Sequence, residues 1–236
     1  MAERDRNLPS QAGTSGEVQD FLDKLARMPA VHASTGRGRL LFAMDATASR
    51  EPTWDRACHI QGEMFEATDG LGGLEVQLLY FRGYGECRAS RWLDRSDALV
   101  RAMTSVRCLG GRTQIGRTLQ HAINETGKRK VDAMVLVGDA MEEDVDDLCA
   151  RAGQLGVLGV PIFAFQEGED QAATLAFRQF ATLTGGAHCR FDSSSASQLK
   201  DLMSAVAVFA AGGRKALADF SKRTGGATLQ ITSQIG

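Results

Sequence analysis

Two kinds of hydrophobic pattern alternate along this chain. The first is the short apolar run, unbroken at Leu40-Leu41-Phe42-Ala43-Met44 and seen again across Val131 to Val137, where Asp132 alone is polar, and Val160 to Phe165. A strand covered on both faces reads this way, as in a parallel sheet. The second is the stripe at helical spacing. Ala57, Ile60, Met64 and Ala67 form one, in a helix that Pro52 opens at its first turn. Ile115, Leu119, Ala122 and Ile123 form another, over Ile115 to Thr126. Val145, Leu148, Cys149, Ala152 and Leu155 mark a third, over Asp144 to Leu155. Further helices are predicted over Ser96 to Met103, Gln171 to Leu183 and Ser197 to Ala210, and further strands over Leu74 to Phe81 and Ala187 to Phe191. The Gly83-Tyr84-Gly85 turn sends Cys87 to Leu93 back as an antiparallel edge strand. Strand and helix alternate, which predicts an open, mostly parallel α/β sheet with helices on both faces.

The ends differ from this body. Residues 1–16 are polar and rich in Gly, Ser and Thr, and read as a disordered tail. Residues 17–37 hold a short N-terminal helix, with Val18, Phe21, Leu22 and Leu25 on one stripe, and then a linker. Ala33 to Arg39 reads as a flexible connection. Residues 38–211 form the main domain, and residues 212–236 a helix-strand extension packed on it. Ala176 to Phe191 and Ala216 to Ile231 resemble each other, each reading as helix, Gly-Gly stop, then strand. Shared use of a glycine C-cap accounts for this; a small duplication is the alternative.

Composition narrows the function classes. Hydrophobic residues make up 43% and charged residues 24% of the 236, ordinary globular usage. Net charge is −2 with no clustered basic excess, so no nucleic acid partner is expected. The first twenty residues hold no signal-peptide core, and the apolar stretch Leu202 to Ala211 is too short to span a bilayer. The expectation is a cytoplasmic protein with no membrane partner. Five scattered cysteines without a CxxC pair read as reduced thiols. His32, His59, His121 and His188 accompany no nucleophile elbow, and neither a Walker loop nor GxGxxG occurs.

One constellation carries chemistry. Asp45-Ala46-Thr47-Ala48-Ser49 follows the first buried strand, Thr113 precedes a helix in Gly110-Gly111-Arg112-Thr113, and Asp139 ends another strand. Each lies at the strand ends where open α/β sheets bind ligands. Two carboxylates and three hydroxyls make an oxygen-only donor set, which favours Mg²⁺, with Mn²⁺ or Ca²⁺ as alternatives, over zinc or copper. With only two carboxylates the ion stays electrophilic and can accept an outside carboxylate.

This D-x-T-x-S run, distal Thr and distal Asp resemble the metal-ion-dependent adhesion site (MIDAS) of von Willebrand factor type A (VWA) domains, over about residues 38–211. The resemblance implies a six-stranded, largely parallel sheet with one antiparallel edge strand. It implies that Thr47, Ser49 and Thr113 bind one divalent cation directly, with Asp45 and Asp139 acting directly or through water. It implies a non-enzymatic, protein-binding module that takes an acidic residue from its partner. Intracellular bacterial relatives work beside AAA+ ATPases or chaperone-like factors, which suggests that partner class. The sequence departs from the family at Thr47, where Ser is usual and the β-branched residue is stiffer at χ1, and at Ala140, where Gly often follows.

Arg50 and Arg112 flank the proposed ligands and suit selection of a partner carboxylate. Glu142, Glu143, Asp144, Asp146 and Asp147 read as acids complementing the first turn of the following helix, or as an acidic rim for a basic partner. Two other functions remain open. A haloacid-dehalogenase-like Mg-dependent phosphohydrolase also places an Asp after its first strand, but its D-x-D signature would need an acid where Thr47 stands. A metal-free VWA scaffold is the other.

Overall fold

A computed structural model describes residues 37–68, 73–191 and 196–224 of the chain. The N-terminal helix expected over residues 17–28 and the last strand of the repeat, within 225–236, lie outside the described residues. Six strands form one sheet: β1 (Gly38–Asp45), β2 (Leu74–Arg82), β3 (Glu86–Ala89), β4 (Ala133–Gly138), β5 (Ile162–Glu167) and β6 (Ala187–Phe191). Their order is β3-β2-β1-β4-β5-β6, with β3 antiparallel and the other five parallel. The helices are α1 (Glu51–Glu66), α2 (Ser96–Thr104), α3 (Ile115–Lys128), α4 (Val145–Val157), α5 (Gln171–Thr184) and α6 (Ala196–Thr224), with a 3-10 turn at Ala48–Arg50.

The unbroken apolar run of β1 has a direct cause. Leu40, Phe42 and Met44 face a core closed by α1, α2 and α6, while Leu41 and Ala43 face a second core closed by α3, α4 and α5. Every residue of β1 is therefore buried. The sheet reverses its winding between β1 and β4, which run side by side with Met44 opposite Val137. Such a reversal opens a crevice beyond the strand ends, the ligand position of doubly wound sheets.

Three elements differ from the expectations. The edge strand is shorter than Cys87 to Leu93, because side-chain bonds enter the ladder at Ser90, whose N–H still donates to the Leu78 carbonyl at 2.8 Å. The Ser90 hydroxyl accepts the Leu78 N–H at 3.0 Å while Gln77 takes the Ser90 carbonyl at 2.8 Å. Pairing resumes only at a single bridge between Val76 and Leu93. The first part of α6 runs a little past Ala210 and is broken at Gly213, whose φ 67 and ψ −165 are not helical; a second helical stretch follows, burying Ala216 and Leu217 in the same core. Arg39 is no part of a flexible connection. It sits in β1 and is 4% exposed.

The Arg39 guanidinium lies 3.8 Å above the Trp92 ring and donates to the carbonyls of Arg129 and Lys130. Glu75 and Glu125 stand 3.6 and 3.8 Å away, and the Arg39 N–H donates to Asp132 at 2.9 Å. Trp92 and Lys128 both donate to Glu125. Burial alone would raise the Glu125 carboxyl, but these two hydrogen bonds and the charges of Lys128 and His121 outweigh it and hold the group below its ordinary value. A carboxyl depressed in the fold stabilises it above the unfolded-state value, and that contribution is lost as pH falls through the folded one. An NMR titration should therefore place the Glu125 midpoint below 4.5; a midpoint above it would contradict this account.

Candidate metal centre

The site begins where β1 ends. Asp45 is 1% exposed, and its Oδ1 accepts the Thr47 N–H at 2.7 Å. This Asx-type bond turns the chain out of the strand and into the 3-10 turn. Thr47 takes an extended backbone there, φ −70 and ψ 163, so Thr47 and Ser49 stand two positions apart in the turn. Their hydroxyl oxygens lie 3.2 Å apart. Ser49 then donates to Asp139 Oδ2 at 2.8 Å, which ties the turn after β1 to the end of β4 across the switch point. Asp45, Thr47, Ser49 and Asp139 are thus joined in one hydrogen-bonded set.

Thr113 reaches the same sheet edge by a different route. Leu109 N–H donates to the Ala46 carbonyl at 3.0 Å, which lays the loop before α3 against the residue after Asp45. Thr113 is itself buried and held by Glu142: its N–H and its hydroxyl both donate to Glu142 Oε2, at 2.9 and 3.0 Å. The Glu142 N–H approaches Thr113 Oγ1 at 3.3 Å. Glu143 accepts the N–H groups of Ile115 and Gly116, so it caps α3. These two acids precede α4, whose own N-cap is Asp144, accepting Asp146 and Asp147 N–H at 3.0 Å each. The acidic run therefore serves two helices and the Thr113 loop rather than one helix turn. Sequence reasoning missed this because the partners lie 27 to 29 positions earlier.

Of the two flanking arginines, Arg112 is exposed and its N–H donates to the Gly83 carbonyl at 3.0 Å. The Arg50 side chain lies outside the described residues. Among the described residues no three His, Cys, Asp or Glu side chains gather to hold a metal. The donor set at this edge is instead two carboxylates with hydroxyls. Its spacings suit a small hard ion: adjacent ligands of an octahedral Mg²⁺ lie about 2.9 Å apart, from bonds of about 2.05 Å. The Ser49–Asp139 and Thr47–Ser49 oxygens stand at 2.8 and 3.2 Å.

A hydroxyl that gives its proton to a carboxylate keeps a lone pair for a cation. Glu142 thus fixes the Thr113 hydroxyl; were Thr113 to hold a cation, Glu142 would orient it as outer carboxylates orient metal ligands. Glu142→Gln should keep the fold yet weaken divalent-cation affinity by about 10- to 100-fold, read by calorimetric titration. Unchanged affinity would remove Glu142 from the site.

No protein-family model and no curated protein sequence matches the chain. Solved structures do match. The SpRpn10 VWA domain superposes with a TM-score of 0.55 at 17% identity, covering 70% of this chain and 93% of that one. Proximal thread matrix protein 1 (PTMP1) from the mussel byssus, with a zinc-occupied MIDAS motif, gives 0.57 at 16% identity, over 73% of this chain and 48% of that one. The pilus adhesin SpaC from Lactobacillus rhamnosus GG gives 0.59 at 12% identity, over 79% and 31%. This chain therefore spans nearly all of the isolated VWA domain but half or less of the two longer proteins. The fold is of the VWA type. Among the described residues no helix is long and apolar enough to cross a membrane.

Proposed function

We propose that this chain is a non-enzymatic protein-binding module that holds one divalent cation through Asp45, Thr47, Ser49, Thr113 and Asp139 and accepts an acidic residue from a partner protein. The observation that carries the reading is the Ser49–Asp139 hydrogen bond, which joins donors from two strand ends at the switch point. The oxygen donors favour Mg²⁺, with Mn²⁺ or Ca²⁺ as alternatives. The cation would supply an electrophilic centre for the incoming carboxylate. Arg112, next to Thr113 in sequence, is exposed, and a guanidinium suits that carboxylate's outer oxygen. Arg50, next to Ser49 in sequence, is assigned the same role. The VWA-type fold supports a protein partner. The resemblance to intracellular bacterial VWA proteins makes an AAA+ ATPase or chaperone-like factor the first class to try, in a cytoplasmic setting.

The test is titration of metal-stripped protein with Mg²⁺, Mn²⁺ and Ca²⁺, with Zn²⁺ added because PTMP1 carries zinc in its MIDAS motif. A ligand at a hundredfold excess over its Kd stabilises the fold by about 2.7 kcal/mol. The wild type should gain a thermal shift of that origin, and Asp45→Ala should lose it while staying folded. A flat titration of the folded wild type would leave a metal-free scaffold. Robust Asp45-dependent turnover of an aryl phosphate would instead make the protein a phosphohydrolase.

A further inference from the structure

We propose that the β2–β3 turn and the loop before α3 form one docking platform, fitted to an acidic partner segment that carries an aromatic or aliphatic side chain beside its carboxylate. The inference rests on the neighbouring site being the acceptor of that carboxylate. A separate set of residues builds the platform. Tyr84 projects from the tip of the β2–β3 turn and is 87% exposed; Leu109, in the facing loop, is 48% exposed. Exposed tyrosines placed beside arginines are the residue types that dominate binding energy at protein interfaces.

The turn and loop are strapped together. Arg112 N–H donates to the Gly83 carbonyl, Gln114 to the Arg82 carbonyl at 3.1 Å, and Arg117 to the Gly85 carbonyl at 2.6 Å. Gly111 lies so close that a Cβ there would stand 2.1 Å from the Gly83 oxygen. The bond from Leu109 to Ala46 fixes the same unit to the residue after Asp45. Tyr84 follows Phe81, the register partner of Asp45, by three positions, a reach of about 11 Å at most. A platform already held in place loses little entropy on binding.

Charge selects the occupant. Arg82 is matched by Glu86, whereas Arg107, Arg112 and Arg117 add three exposed positive charges on this side. Beyond Glu142, which meets the Thr113 loop, the start of α4 carries exposed Asp144, Asp146 and Asp147. An acidic segment is attracted to the first side and repelled from the second, which sets its direction across the site. A neutral segment has no such preference, and a basic one is drawn the opposite way.

The probe is a set of fluorescein-labelled peptides on a Gly-Ser background, bearing Asp-Phe, Asp-Gly or Asn-Phe at the centre, read by anisotropy in Mg²⁺ and in EDTA. Wild-type protein should bind the Asp-Phe peptide about tenfold more tightly than the Asp-Gly peptide. Tyr84→Ser and Leu109→Ser, neither of them a metal donor, should each reduce that preference while keeping the wild-type Mg²⁺ thermal shift. No preference, no binding of any peptide, or a preference retained in both variants overturns the platform and leaves the metal reading standing. A preference kept in EDTA by a protein that shows no Mg²⁺ shift supports the platform and sinks the metal reading instead.

Discussion

Arg39→Ala should cost about 3–5 kcal/mol of stability, the loss expected when one partner leaves a buried ionic cluster. Against a typical total of about 5–15 kcal/mol, that is a large share of the fold. Three losses combine. Glu75 and Glu125 lose a nearby cation, and the carbonyls of Arg129 and Lys130 lose a donor inside the protein. Trp92 loses the guanidinium stacked 3.8 Å from its ring. Burial and the charge of Arg129 already pull the Arg39 guanidinium below its ordinary value, against Glu75, Glu125 and Asp132. The group is thus held charged at a cost that its partners offset. Arg39→Lys keeps the charge but not the planar fork, so it should recover only part of the loss. Urea denaturation measures both variants. A loss below about 1 kcal/mol for Arg39→Ala would show that Lys128 and Arg129 alone satisfy the two glutamates.

This cluster also marks what the sequence leaves unreadable. Arg39 stands next to Gly38 and after a polar, glycine-containing stretch, which reads locally as linker. Its partners come from α3, the approach to β4, β2 and the segment before α2, and no local pattern joins them. The strands were legible for the opposite reason. Leu40 to Met44 is apolar throughout because each face of β1 meets its own core, and burial on both sides leaves a mark in every residue. The hairpin was legible through Gly83 and Gly85, but its length was not, because at Ser90 one backbone bond to Leu78 remains while the Ser90 hydroxyl and the Gln77 side chain take the others. The helix expected to end at Ala210 is broken close by, at Gly213, and a second helix follows because Ala216 and Leu217 find buried positions beyond it. At the candidate site, the oxygen donors were legible because each sits just after a strand or just before a helix. Glu142 and Glu143 were not, because acids ahead of an N-cap carry a sufficient local explanation in the helix dipole.

Gly111→Ala should lower divalent-cation affinity by at least about tenfold, since Mg²⁺ demands near-ideal octahedral geometry and tolerates displaced ligands poorly. The cause is a backbone contact. A Cβ on Gly111 would lie 2.1 Å from the Gly83 carbonyl oxygen and 2.3 Å from its carbon, where real Cβ atoms essentially never come within 3.0 Å. Backbone rather than a flexible side chain opposes it, so the two loops must part. Gly83 has φ 60 and anchors the tight turn into β3, which leaves the Thr113 loop as the element that moves. Two residues on, Thr113 then shifts relative to Glu142 and to the Ser49–Asp139 pair. The strain costs about 1–3 kcal/mol, so the variant still folds and its far-ultraviolet dichroism should match the wild type. Calorimetric titration reads the affinity. The same displacement separates Tyr84 from Leu109, so selection between Asp-Phe and Asp-Gly peptides should fall as well. Wild-type affinity in a folded Gly111→Ala variant would mean that the cation is held without Thr113, by the donors after β1 and β4 alone.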